Sequence, residues 1–140
     1  MSVILIYATA SMAEVVIDAT IQSANTMTQT NNIFPIPSPI QAFVDTTNSG
    51  DSEAFVATFS EDTYIRDWWH IFRGHKGAAS WNQSDNIGKK AHFDIQAIRQ
   101  GEQPNSYILT VKVSGGGFNG VSDILFNLEG EFISKMIIAP

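Results

Sequence analysis

From residue 91 to the C-terminus the chain alternates apolar and polar residues with a period of two, and no other feature limits the possible folds so tightly. Ala91, Phe93, Ile95 and Ala97 alternate with His92, Asp94 and Gln96. Tyr107, Leu109, Val111 and Val113 alternate with Thr110 and Lys112, and residues 121–128 make a third segment. In a fourth, Phe132, Ser134, Met136 and Ile138 alternate with Ile133, Lys135 and Ile137. Glu129-Gly130 is short enough for a tight hairpin between the last two. Such strands build a sheet with one apolar face, and that face needs a cover.

The cover lies upstream. Ser38 can cap a helix that accepts Pro39 in its first turn, and Ile40, Phe43, Val44 and Thr47 then recur at helical spacing. Asn48-Ser49-Gly50 stops this helix, with Gly50 able to take positive φ. Asp51 can cap a second, short helix in which Phe55 and Phe59 lie one turn apart and face inward. Residues 63–68 read as a strand, with Thr63, Ile65 and Asp67 on one side and Tyr64, Arg66 and Trp68 on the other. Residues 69–72 continue or re-enter the sheet, and Arg73-Gly74 turns the chain. Residues 75–86 form a third helix, which packs through Ala78, Ala79 and Trp81 and ends at Gly88. Helices first and long antiparallel strands last predict an α+β domain, three helices on one face of a curved sheet.

A length of 140 residues suits one such domain, expected over 38–140. Residues 1–37 differ in texture and are expected to be a weakly structured extension, with a short strand at 3–7 and a weak helix at 12–21. The change in texture makes Met27 an alternative natural start. The first residues loosely imitate a secretory signal but lack its positive n-region, which favours cytoplasmic residence over export. No apolar run is long enough to span a bilayer, and no membrane partner is expected. With no cysteine the chain has no disulfide framework and no thiolate nucleophile. The net charge of −6 is uneven: no Lys or Arg precedes Arg66, and from there on basic and acidic residues nearly balance. Without a basic stripe to neutralise phosphates, nucleic acid is not an expected partner.

Residues 63–81, TYIRDWWHIFRGHKGAASW, hold all three tryptophans, Trp68, Trp69 and Trp81, together with Tyr64, Asp67, His70, Arg73 and His75. Apolar bulk with a few convergent polar groups is what a small-molecule pocket needs. Asp67 has two readings. Desolvated against rings it can shuttle a proton; alternatively it is a strand-end carboxylate that bonds backbone or pairs with Arg73. The tryptophans are wall or core, with at least one lining the pocket. Tyr64 could donate to a carbonyl, His70 could serve as acid or base, and Arg73 could orient an anionic group.

Other patterns carry less. His70, His75 and His92 with Asp94 match no metal-ligand spacing, so no metal is expected, and His92 and Asp94 should be exposed or at a dimer contact. Gly115-Gly116-Gly117-Phe118-Asn119-Gly120 satisfies GxGxxG, but no helix follows to cradle a pyrophosphate, and the stretch reads as a strand connection at a rim. The sequon Asn82-Gln83-Ser84 falls inside the third helix and is discounted.

Three segments, AFVDTTNSGDSEAFVATFSEDTYIRDW, FRGHKGAASW and GFNGVSDILFNLEGEFISKMII, in this order and spacing resemble the SnoaL-like branch of the nuclear transport factor two-like superfamily. The resemblance covers roughly residues 40–138. It implies a cone: a curved, mixed, mainly antiparallel sheet wrapped by three helices, with a pocket open at one end and often a homodimer through the sheet. Members include polyketide cyclases, ketosteroid isomerases, dehydratases and proteins without known activity. The general-base Asp of ketosteroid isomerase ends a segment like FSEDTYIRD, which puts that role on Asp67. The oxyanion tyrosine of its first helix corresponds to Phe43, so that donor is absent. Its second donor, a protonated Asp, falls near Asp123, but the hairpin after it is shorter, and the alternation leaves open whether Asp123 faces the pocket or turns away from it.

The expectation is a cofactor-free enzyme of cyclase or isomerase type acting on a small hydrophobic, carbonyl-bearing molecule. Asp67 would remove a proton next to the carbonyl, and Tyr64, His70 or Arg73 would stabilise the enolate. Trp68, Trp69, Trp81, Arg73 and Asp123 would contact substrate, with Phe43, Phe55 and Phe59 completing the wall. The alternative is a non-catalytic ligand-binding or dimerisation module of the same fold.

Overall fold

The computed structural model describes residues 35–140, so the strand expected at 3–7, the helix at 12–21 and the alternative start at Met27 lie outside the described residues. Among the described residues three α-helices, α1 (Ser38–Ser49), α2 (Ser52–Ala57) and α3 (Gly74–Asp85), accompany six strands. These are β1 (Phe59–Asp67), β2 (His70–Arg73), β3 (His92–Gln100), β4 (Ser106–Ser114), β5 (Gly120–Glu129) and β6 (Phe132–Ile138). They form one sheet in the order β2-β1-β6-β5-β4-β3. Among the described residues only the β1–β6 pair is parallel, so the sheet is mixed and mainly antiparallel, and the fold is the expected α+β cone.

Local chemistry places the helices. Gly50 takes φ +74, and the N–H groups of Gly50 and Asp51 close on Thr47 O and Thr46 O, which ends α1 where the sequence indicated. Asp51 accepts from the Ala54 N–H at 3.1 Å and caps α2. Ser38 does not cap α1. It is already helical, Pro37 O accepts the first helical bonds, and the Ser38 hydroxyl donates to Glu131 at 3.0 Å. Asn48 bonds both the N–H and the C=O of Phe93, fastening α1 to the edge strand β3.

The core sits between the helices and the inner sheet face. Phe43 is its centre, with ring centroids 5.0 Å from Phe126 and 5.4 Å from both Phe55 and Phe93. Phe59 lies inward as expected, but as the first residue of β1, because α2 ends at Ala57.

The strand register slips in β1 between Phe59 and Tyr64, in β3 and in β6, and the last two break the alternation read from the sequence. Between Ile95 and Ala97 the β3–β4 register slips, which leaves Ala97 exposed and turns Ile98 toward the core. In β6 the register with β5 slips past Ser134, so Ile133 and Met136 are both fully buried and Phe132 points out. Ala79 is exposed on α3, and Gly88 lies in a 3₁₀ turn (Ile87–Lys89) after that helix has ended at Asp85. A side chain at Gly88 would meet Gln83 O at 1.7 Å, which is why the turn can close so tightly only on glycine.

Candidate functional site

Asp67 is the last residue of β1 and stands opposite His70 of β2 and Ile138 of β6. It shares strand parity with Thr63 and Ile65, both buried, and so belongs to the inner face. Its Oδ2 accepts the indole N–H of Trp81 at 2.9 Å. The Trp81 ring is 3% exposed and lies nearly parallel to Phe43 and Phe55, with centroids 6.4 and 6.0 Å away. The half-buried carboxylate is thereby tied to the aromatic core through one hydrogen bond.

An open hollow of about 980 Å³ adjoins this carboxylate. The β1–β2 hairpin contributes Asp67, Trp68, Trp69 and His70 to its lining. Trp81, Asn86 and Lys89 come from α3 and the turn after it. Phe93, Val113 and Ile124 line it from the sheet, and Gly117 and Phe118 from the β4–β5 connection. Trp69 is 73% exposed and Phe118 58%, so rings stand at the rim as well as deeper in the wall. The glycine-rich stretch is indeed a rim loop followed by a strand, and Asn119 braces it through bonds to Gly115 and Gly117.

Several expected site residues lie elsewhere. Phe43, Phe55 and Phe59 are fully buried in the core and do not border the hollow. Tyr64 and Arg73 face each other across β1 and β2, with the guanidinium 5.0 Å from the ring centroid, and neither borders the hollow. This cation–π pair takes the place of the pairing between Arg73 and Asp67. His75 Nε2–H donates to Phe59 O at 2.7 Å and ties the start of α3 to β1. His92 and Asp94 are exposed, 3.4 Å apart. No group of metal-binding side chains occurs among the described residues.

Asp123 reaches the edge of the hollow, but its carboxylate is engaged on the outer face of the sheet. Thr110 Oγ1 donates to it at 2.6 Å and Arg99 at 3.4 Å. The Thr110 bond, then Arg99, holds the Asp123 carboxyl below its ordinary value of 3.8. Asn82 is buried and donates to Ser52 Oγ, which removes the sequon from the surface.

Phe118, Lys89 and Asn86 had no sequence signal beyond the glycine run before Phe118. Asn86 is fully buried. Its Nδ2 donates to Thr47 and Asn82, while its Oδ1 has no partner among the described residues.

No family model matches the sequence, and no curated protein matches it. Solved structures do. One is a Sinorhizobium meliloti protein assigned to the polyketide cyclases, at 17% identity and TM-score 0.66 over 74% of this chain and 94% of that one. A Mycobacterium tuberculosis protein solved with estradiol-17β-hemisuccinate is 12% identical, TM-score 0.64, over 73% of this chain and 92% of that one. The Δ5-3-ketosteroid isomerase of a Mycobacterium species is 14% identical, TM-score 0.62, over 73% and 89%. No helix among the described residues is long and apolar enough to cross a membrane. From residue 35 onward the chain has the nuclear transport factor two-like fold, the cone that these cyclase- and isomerase-type proteins share.

Proposed function

We infer that the hollow binds a small, mainly hydrophobic molecule bearing a carbonyl group, and that Asp67 removes a proton from the carbon beside it. The observation that carries this reading is the Asp67 carboxylate itself. It is held by Trp81 through Oδ2, lies at the wall of a ring-lined hollow, and makes no salt bridge among the described residues. A general base needs that combination of fixed position, limited hydration and no competing cation. The solved neighbours named as a ketosteroid isomerase and as a complex with a steroid ester support a ligand of this kind.

In the proposed step the carboxylate takes the α-proton and the electron pair moves to the carbonyl oxygen. His70 borders the hollow and would donate to that oxygen, whereas Tyr64 and Arg73 pair with each other and do not border it. Return of the proton to another carbon completes an isomerisation; attack of the enolate carbon on a second carbonyl carbon of the same molecule moves that C=O π pair to its oxygen, which takes the proton back from Asp67 and completes a cyclisation. No cofactor enters either route. The test is hydrogen–deuterium exchange at the α-carbon of 2-tetralone in D₂O, followed by NMR. The wild type should accelerate exchange, and Asp67→Asn should lose about 10²-fold or more. Undiminished exchange in Asp67→Asn would remove Asp67 from the chemistry.

A second reading, a binding module without catalysis, is favoured by Phe43. The helix position that carries a hydroxyl donor in the isomerases is here filled by a core phenyl ring. Ligand binding without exchange would establish it.

The reading includes a homodimer through the outer sheet face. Ile108, Leu125, Ile137 and Ile71 form a cross-strand row there, interrupted by Arg66 between Ile137 and Ile71. Ile71 is 51% exposed, and such a row gains from being covered.

A further inference from the structure

Trp68 opens the two-residue loop that joins β1 to β2, and it takes φ +55. A tight hairpin asks for positive φ at this kind of position, and glycine, asparagine or aspartate meets the demand with least strain. For a bulky aromatic residue the left-handed region is a genuine outlier. The position is held firmly, because the Trp68 N–H donates to Ile138 O at 2.8 Å. The ring does not recover the cost by burial, since Trp68 is 49% exposed. It lies instead on the wall of the hollow, next to Trp69 and together with Trp81, Phe93 and Phe118. A residue that is expensive for the turn and poorly buried by the fold is explained when its ring serves something that enters from outside.

We propose that Trp68 is a ligand-contacting specificity residue, and that the ring it meets is planar and conjugated. This rests on the reading of the hollow as a ligand pocket. Aliphatic side chains would serve as well to hold a saturated, puckered skeleton. A set of indole and phenyl rings around one opening favours a partner with a π face, because offset stacking or edge-to-face contact adds to what area burial alone provides. The hydrogen-bonded loop fixes the Trp68 backbone before the ligand arrives, so less ordering is left to do on binding.

The experiment compares 2-naphthol with decahydro-2-naphthol, which has the same carbon skeleton and hydroxyl but no π system. Affinities are measured by titration calorimetry for the wild type, Trp68→Asn and Trp68→Phe, with Tm recorded for each. The wild type should prefer 2-naphthol. Trp68→Asn should weaken 2-naphthol about tenfold, the size of one aromatic pair, and leave decahydro-2-naphthol unchanged. Trp68→Phe should keep most of the preference. The Tm of Trp68→Asn should be no lower than that of the wild type. Equal affinity for the two compounds, or a preference that survives in Trp68→Asn, overturns the inference alone. A marked fall in the Tm of Trp68→Asn makes the ring structural and also overturns it. Binding of neither compound overturns the pocket reading, and this inference with it.

Discussion

The indole N–H of Trp81 donates to Oδ2 of Asp67 across 2.9 Å, joining a side chain of the aromatic core to the carboxylate at the end of β1. The bond fixes one oxygen of the acid, and the other has no hydrogen-bond partner among the described residues. Trp81→Phe keeps an aromatic ring but removes the donor. A hydrogen bond to a charged group contributes about 1.5–3 kcal/mol, and partial exposure of Asp67 puts the expected loss near the lower figure. Denaturant unfolding should show this loss, and α-proton exchange should fall along with it because the carboxylate is no longer held.

Phe43 is fully buried among Phe55, Phe93, Phe126 and Trp81, and its ring packs the core. Phe43→Tyr would place a hydroxyl among rings, at a cost of about 1–3 kcal/mol if it finds no partner. It should destabilise the domain without raising exchange. A gain in activity would show that this position reaches the hollow after all.

Asp123 has a carboxyl held below its ordinary value, first by Thr110 and then by Arg99. A depressed folded-state value contributes stability above the unfolded value, and this stability is lost as pH falls through the folded one. Asp123→Asn should therefore lower stability slightly at neutral pH and flatten its decline below about pH 4. The pair with Arg99 is more than half exposed, so the effect should be small and should shrink further in high salt. Tm measured from pH 3 to 7 checks the sign.

Leu125 stands between Ile108 and Ile137 in the cross-strand row of the outer face. If two copies meet there, Leu125→Lys puts a charge into the contact and should yield a monomer with an unchanged circular dichroism spectrum. Sedimentation equilibrium reads the mass directly. A monomeric wild type would remove the homodimer from the proposed function.

Much of this architecture is determined by the sequence, because its signals are local. The caps at Gly50 and Asp51, the helical spacing of Ile40, Phe43, Val44 and Thr47, and the inward set Leu109, Val111 and Val113 each depend on neighbours within a few residues. The bulges in β3 and β6 depend on partner strands. A register slip is a property of two chains side by side, so nothing in the alternation marks Ala97 as outward or Ile133 as inward.

The same division holds at the site. That Asp67 shares a strand face with Thr63 and Ile65 follows from parity alone; that this face is the inner one follows from their burial. That Trp81 binds it, that Arg73 lies over Tyr64, and that Phe118 faces the same hollow as Trp68 were decided by tertiary structure. Chain order says which face a side chain takes, but only the packed fold brings residues from a hairpin, a helix and a distant loop to one opening.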